Sequence, residues 1–357
     1  MDFRIHATYD IVAPTSMGVR ITPSDRQPVG NGSTFSMQAT SAESNVLSIS
    51  AGLGRPAKVL TAFVEGSPVS TFIKRDLGRR GIAFEGPDMP QGGPWGYRHQ
   101  FNIADSGFGP RGPKVWNDRA GEIGQELSTV MFDTRKLFEE DGVRLLHLSG
   151  LIAALSPNTA RLCVDLAKTA KAHGTVVSFD LNYRASFWKN REAELRKAFD
   201  AIAKETDILI GNEEDFQLAL GIEGPKEGGT GIKDTISQFK DMIGRVQKTY
   251  PQASLFATTL REVESANLHH WGAIVKGPEG WTVVEPKPIE VHDRIGGGDG
   301  FVGGLLYGLL RGLTTEEATR FGWATGAYVA TLAEDYGLPE DEDTIRAIMN
   351  GNARVKR

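Results

Sequence analysis

The sequence predicts an α/β protein with a mostly parallel central sheet and a small separate β unit. Two observations carry this. Short continuous apolar runs alternate with helix-patterned segments from about residue 143 onward. Two stretches in the first third instead show short alternating segments broken by Gly, Pro and Asn. Continuous apolar runs mark strands covered on both faces, as in parallel sheets. Strands alternating with helices indicate βαβ units.

Taken in order, residues 17–40 contain MGVRITP and STFSMQA, and residues 86–124 carry nine glycines together with Trp95, Tyr97, Phe101, Phe108 and Trp116. That aromatic content argues against a disordered loop. The two stretches are expected to combine into one small mixed β unit, a lid or a subunit contact. The strands of the main sheet are expected at 143–150 (VRLLHLSG), 175–180 (TVVSFD), 207–211 (DILIG) and 254–259 (SLFATT). Helices are expected at about 156–173, 190–204, 212–220 and 232–249. Each strand run ends in polar residues: Ser149, Asp180 with Asn182, Asn212 with Glu213, and Thr258 with Thr259. Ligands of open parallel sheets bind at the carboxyl ends of strands. The whole chain, 1–357, reads as one domain, with lid segments at approximately 14–41 and 90–120 inserted in the α/β core.

Composition excludes several function classes. Forty basic and 45 acidic residues give a net charge of −5 with no basic tail, so no nucleic-acid partner is expected. The single cysteine, Cys163, rules out an internal disulfide framework and is expected to be plain core packing. Charges at Asp2, Arg4 and Asp10 argue against a signal peptide, and no run approaches the ~18 apolar residues of a membrane span. A cytoplasmic location is the expectation. His147 reads as a core histidine. His269-His270 lacks partners at zinc-ligand spacing. Glu340–Asp343 reads as an acidic helix start.

Glycine is in excess, 42 of 357 residues against a usual share of roughly 7%. The densest cluster is Asp293–Gly304, DRIGGGDGFVGG. Val283–Pro286 before it reads as a strand ending in a proline turn, and Phe301–Leu310 after it is apolar at helical spacing. A glycine turn opening a helix presents backbone N–H groups and the positive helix end to an anion. Without Cβ atoms, a phosphate can lie against the backbone. Asp299 at the helix start is either an N-cap or a general base beside the anion site. Gly298-x-Gly300-x-x-Gly303 satisfies the dinucleotide pattern but sits near the C-terminus, outside a first βαβ unit. No GxxxxGK[ST] occurs in the chain, which excludes a P-loop NTPase.

These residues resemble the ribokinase-like (PfkB type) carbohydrate kinases, whose C-terminal signature is usually Gly-Ala-Gly-Asp. Ser44-Asn45-Val46 through Leu53-Gly54 is similar to the family's N-terminal sugar-binding helix. Leu146–Gly150, Leu155-Ser156-Pro157, Asp180–Arg184 with Trp188, Asp293-Arg294-Ile295 and Thr259–Glu262 resemble the 2-keto-3-deoxygluconate kinase branch. The resemblance implies a three-layer α/β/α sandwich with a β-sheet lid. It implies Asp299 as catalytic base and the N–H groups of Gly296, Gly297, Gly298 and Asp299 as anion hole. It also implies Asn45 and neighbouring Ser41 as sugar contacts, with Arg119 and Arg184 at the acid end of the sugar. On the nucleotide side it points to Asn212, Thr259, Arg261 and Trp323. Glu214 and Asp215 fall at the Asn-x-x-Glu motif that positions a metal through water.

The sequence departs from the family at Thr40-Ser41 in place of Gly-Gly, at Asp215, at Asn117-Asp118 in place of a tyrosine pair, and at Trp323. The implied reaction is transfer of the ATP γ-phosphoryl group to an acidic keto-sugar, with Mg²⁺ and a monovalent cation as a further candidate. A homodimer through the β lid is the expected assembly. The alternatives are a ribokinase-like kinase for another sugar or a nucleoside, and a non-catalytic binding protein on the same fold.

Overall fold

The computed structural model describes residues 1–224 and 232–352. These form fifteen strands: β1 (Tyr9–Pro14), β2 (Gly18–Pro23), β3 (Phe35–Thr40), β4 (Ala57–Leu60), β5 (Phe63–Val64), β6 (Ile82–Glu85), β7 (Asp88–Met89), β8 (Gln100–Asp105), β9 (Lys114–Asp118), β10 (Val143–Ser149), β11 (Val176–Asp180), β12 (Ile208–Ile210), β13 (Leu255–Ser265), β14 (Leu268–Gly277) and β15 (Gly280–Glu290). Nine make one sheet in the order β15-β14-β13-β12-β11-β10-β1-β4-β6. Its pairs are parallel from β13 to β6 and antiparallel at β13–β14 and β14–β15. The expected helices are present as Pro157–Ala172, Glu192–Ala203, Glu213–Leu220 and Ile232–Thr249.

The sheet is buried on both faces, which explains its continuous apolar runs. Successive side chains of a strand point to opposite faces. In β12, Leu209 joins the core with Leu162, Phe199 and Phe239, whereas Ile208 and Ile210 join the core with Phe301 and Phe321. In β10, Leu146 and Leu148 go to the first core and Leu145 to the second. Two helical layers therefore sandwich the sheet. His147 and Cys163 are buried, as expected; His147 pairs through Nδ1 with Ser178 Oγ at 3.1 Å. The acidic run starts the helix Glu342–Met349, with Asp341 as N-cap.

The glycine-rich stretches form a separate four-stranded sheet, β3-β2-β8-β9. Cross-strand register puts Gln38, Arg20, Asn102 and Asn117 in one row and Met37, Ile21, Ile103 and Trp116 in the next. Adjacent rows face opposite sides. Arg20 faces the main body, where its Nη2 meets Asp293 with both side chains 1% exposed. The alternate row is apolar and ends in Met37 and Trp116, both exposed. β7, within 86–124, leaves this sheet and pairs with β5.

Two strand boundaries differ from the expectation. Thr258-Thr259 does not end β13, which continues to Ser265 because β14 folds back on it as a long hairpin. β15 likewise runs through Pro286 and Pro288 instead of stopping at a proline turn. It is an edge strand, where a residue without an N–H is tolerated.

Candidate active site

The glycine turn begins where β15 returns to the body. Gly296 caps the helix Gly297–Leu310 with φ of 85°, and a Cβ there would overlap the carbonyl oxygen of Asp335. A side chain is excluded both by conformation and by space. At Gly298 a Cβ would meet nothing within 4 Å, so this part of the turn opens on free volume. Gly297 N–H lies 3.4 Å from Arg294 O, while those of Gly298 and Asp299 fall in the first helical turn, which supplies them no carbonyl.

The remaining glycines of the cluster serve packing. A Cβ at Gly300 would lie 2.7 Å from Val329 Cγ2, one at Gly303 2.6 Å from Val46 O, and one at Gly304 would overlap Thr325 Oγ1. They bring Gly297–Leu310 close to the helices Ala42–Gly52 and Thr315–Ala330. The open part of the cluster is thus the segment Gly296–Asp299, the one expected to form an anion hole.

Close packing at Gly303 places Ala42–Gly52 against the turn. Asn45 Nδ2 donates to Asp299 Oδ2 at 3.0 Å, and Asn45 Oδ1 is buried without a partner. The Asp299 carboxyl is pushed well above the ordinary carboxylate range. Loss of solvent is the main cause; Asn45 opposes it, and Asp180, Asp335 and Glu43 add to it. Asp299 is not the N-cap, a position held by Gly296, so the structural alternative raised by its sequence position does not apply.

Ser41 has a local task. Its Oγ caps Ala42–Gly52 by accepting from Ser44 N at 3.1 Å and points to Met17 Sδ at 3.3 Å. Thr40 Oγ1 donates to Asp335 Oδ2 at 2.6 Å. Both departures from Gly-Gly thus join the scaffold behind the turn. Glu43, 3% exposed, accepts from Thr15 Oγ1 at 2.6 Å and from Ser149 Oγ. Ser149 also caps the short helix after β10 through Leu151 N.

Arg184 is exposed, with Nη1 donating to Tyr183 O at 2.7 Å and Nη2 to Asn182 Oδ1 at 2.9 Å. The Arg119 guanidinium sits 5.1 Å from the Phe187 ring, and Phe187 N donates to Arg184 O at 2.9 Å. The fold thus brings the two arginines to one short turn. Arg119 is already engaged: Nη1 donates to Glu122 Oε1 at 2.8 Å and Oε2 at 3.0 Å.

Asn212 and Asp215 form a reciprocal cap at the start of Glu213–Leu220, at 2.8 Å each way, and Asp215 Oδ1 also accepts from Tyr183 N at 2.9 Å. Burial lifts the Asp215 carboxyl to about 6 against these bonds. Asp180, at the end of β11, is lifted to about 7 by burial and then by Asp215. Glu214 is exposed. Among the described residues no group of three or more His, Cys, Asp or Glu is arranged to hold a metal ion.

Of the residues expected near a nucleotide, Thr259 is mid-strand and partly exposed. Register aligns Arg261 with Trp271 and Trp271 with Lys287. Trp323 Nε1 donates to Trp271 O at 2.8 Å, and Lys287 Nζ lies 5.1 Å from the Trp323 ring. The Trp271 indole reaches the glycine turn, 3.9 Å from a Cβ built at Gly297. Arg261, Trp323 and the turn therefore share one wall.

Sequence reasoning missed Glu43, Asp335, Arg20, Glu122 and Lys287. One signal was available: Glu43, a carboxylate in the first turn of the largely buried helix Ala42–Gly52. Asp335 and Arg20 come from distant segments and carried no local sign.

A three-layer α/β/α core with a second small sheet beside the strand termini is the ribokinase-like fold, and it hosts phosphotransferases that act on alcohols. Residues 120–340 match the pfkB family carbohydrate kinases, and the chain belongs to that family. It is 25% identical over 355 residues to the 2-dehydro-3-deoxygalactonokinase of Haloferax volcanii, covering 98% of this chain and 100% of the relative. It is 27% identical over 214 residues to the 5-dehydro-2-deoxygluconokinase of Clostridium perfringens, covering 57% and 54%. Among solved structures it superposes on the 2-dehydro-3-deoxygluconokinase of Thermotoga maritima with a TM-score of 0.86 at 26% identity, covering 97% of this chain and 100% of that one. No helix among the described residues is long and apolar enough to cross a membrane.

Proposed function

We propose that this carbohydrate kinase transfers the γ-phosphoryl group of ATP to a hydroxyl of an acidic keto-sugar, with 2-keto-3-deoxygluconate the first candidate. The observation that carries the reading is the Asn45–Asp299 pair at the head of the glycine turn. A carboxylate poorly solvated and ringed by other acids holds a proton strongly, which suits a base that must take one from a hydroxyl. Asn45 orients it, and its free Oδ1 can accept from a second sugar hydroxyl. Three relatives of this chain bear the names of deoxy-keto-sugar-acid kinases.

The substrate hydroxyl attacks as Asp299 accepts its proton. The N–H groups of Gly298 and Asp299, with Gly296 and Gly297 shaping the turn, receive the charge that develops on the transferred group. Arg261 and Lys287 flank Trp271 on the side for the nucleotide phosphates, and Trp323 backs that wall, with Asn212 and Thr259 at its border. Bound Mg²⁺ would neutralise phosphate charge. Such an ion takes one or two carboxylates and fills its shell with water and phosphate, so exposed Glu214, with Asp215 behind it, fits an ion arriving with the nucleotide. Ser41, Arg119 and Arg184 border the sugar.

The small sheet acts as the lid of this single domain, excluding water that would otherwise accept the phosphoryl group. Its apolar row, exposed at Met37 and Trp116, is the surface we assign to a homodimer. ADP release measured with 2-keto-3-deoxygluconate, its galacto isomer, ribose, fructose and adenosine tests the reading. Turnover of the keto acids at least tenfold above the others supports it, and preference for ribose or adenosine refutes it.

A further inference from the structure

Arg119 would be a natural partner for a substrate carboxylate, but the chain already supplies one. Glu122 is 1% exposed and accepts from Arg119 Nη1 through both oxygens, at 2.8 and 3.0 Å. Ser16 Oγ, just beyond β1, donates to the same carboxylate. Loss of solvent pushes the Glu122 carboxyl upward, with Arg119 and Ser16 opposing and Glu43 adding to the push. Arg119 Nε is buried without a partner. The pair thus sits at the carboxyl end of β1, one short turn from Arg184. Arg184 lies close enough to Asp180 and Asp215 to favour their ionised forms, but donates its hydrogen bonds to uncharged oxygens.

We propose that Glu122 determines specificity in the sugar site. By holding Arg119 it leaves Arg184 as the arginine for the substrate's carboxylate and turns the Arg119 position into a reader of a hydroxyl. A second carboxylate brought against buried Glu122 meets like charge. A hydroxyl can donate to the remaining lone pairs of Glu122 and accept from Arg119. The substrate class is a keto-sugar acid with its carboxylate at one end and a hydroxyl at the Glu122–Arg119 pair. This rests on the sugar-acid reading of the site.

The test is steady-state kinetics on 2-keto-3-deoxygluconate and on its neutral analogue bearing a hydroxymethyl group in place of the carboxylate. In Glu122→Gln, Arg119 is released from its internal carboxylate and can join Arg184, one short turn away, on the substrate's single carboxylate. The acid-to-neutral ratio of kcat/KM is expected to rise about 10- to 100-fold, the worth of one charge-assisted hydrogen bond, mainly through a lower KM for the acid. A ratio unchanged within threefold overturns the inference. A parallel rise in both KM values, the sign of a purely structural role, also overturns it. The double variant Arg119→Leu/Glu122→Leu removes both charges without orphaning either. The inference requires its ratio to stay near that of the unmodified protein, and a tenfold loss confined to the acid contradicts it. If no form turns over either sugar, the sugar-acid reading itself fails, and this inference with it.

Discussion

Replacing Asp299 with asparagine keeps the shape of the site and removes its proton acceptor. Asn45 Nδ2 can still donate, at about its present 3.0 Å, to the new amide oxygen. A positioned base contributes about 10²- to 10⁴-fold, or roughly 3 to 5 kcal/mol in the barrier, so kcat should fall by that factor. The fold should respond in the opposite sense. Ionised Asp299 is disfavoured by burial and by Asp180, Asp335 and Glu43, so a neutral amide relieves the repulsion. The expected signature is a kcat at least 100-fold lower in a coupled ADP assay, with a Tm at pH 8 equal to or above that of the unmodified protein. A loss under tenfold would refute the base assignment. A large loss accompanied by a fallen Tm would show that Asp299 supports the fold instead.

The glycines make a paired prediction. Gly303→Ala presses a methyl against Val46 O, 2.6 Å from the ideal position, and should cost about 1–3 kcal/mol in chemical denaturation. Gly298→Ala meets open space and should leave stability within about 1 kcal/mol while raising the KM for ATP; equal destabilisation of the two would contradict the division of the cluster. Asp180 and Asp215 have folded-state values of about 7 and 6, above the ordinary carboxylate value near ~4, so the folded state holds their protons more tightly. Their contribution to stability is present in full below about pH 4 and is lost as pH rises through 6 to 7. Asp180→Asn should therefore flatten the fall in Tm between pH 5 and pH 8, and an unchanged slope would count against it. Arg20→Met leaves buried Asp293 without its cation and should cost about 3–5 kcal/mol by denaturant titration, whereas a loss under about 1 kcal/mol would show that the pair does not anchor the small sheet.

The main sheet was legible because burial on both faces writes itself into sequence as uninterrupted apolar runs. Val143–Ser149 and Val176–Asp180 fell within a residue of expectation. The helix Pro157–Ala172 was equally clear because Ser156 and Pro157 mark its start. The extension of β13 to Ser265 was hidden because Arg261–Glu264 are exposed hairpin residues whose pairing partner comes later in the chain. Asp299 and its glycine turn stood out as a local motif. Most of their surroundings did not. Asp335 closes the back of the turn from 39 residues beyond Gly296, and Arg20 reaches Asp293 across 273 positions. Ser41 was expected at the sugar and is observed capping a helix, a role any serine before a helix can take.

The most direct measurement is the identity of the phosphorylated product. The purified protein, mixed with ATP, Mg²⁺ and 2-keto-3-deoxygluconate, should yield one sugar phosphomonoester per ADP by phosphorus NMR, and the Asp299→Asn variant should yield almost none in the same time. Release of inorganic phosphate in place of a sugar phosphate, or equal product from the variant, would contradict the assignment of phosphoryl transfer to this glycine turn.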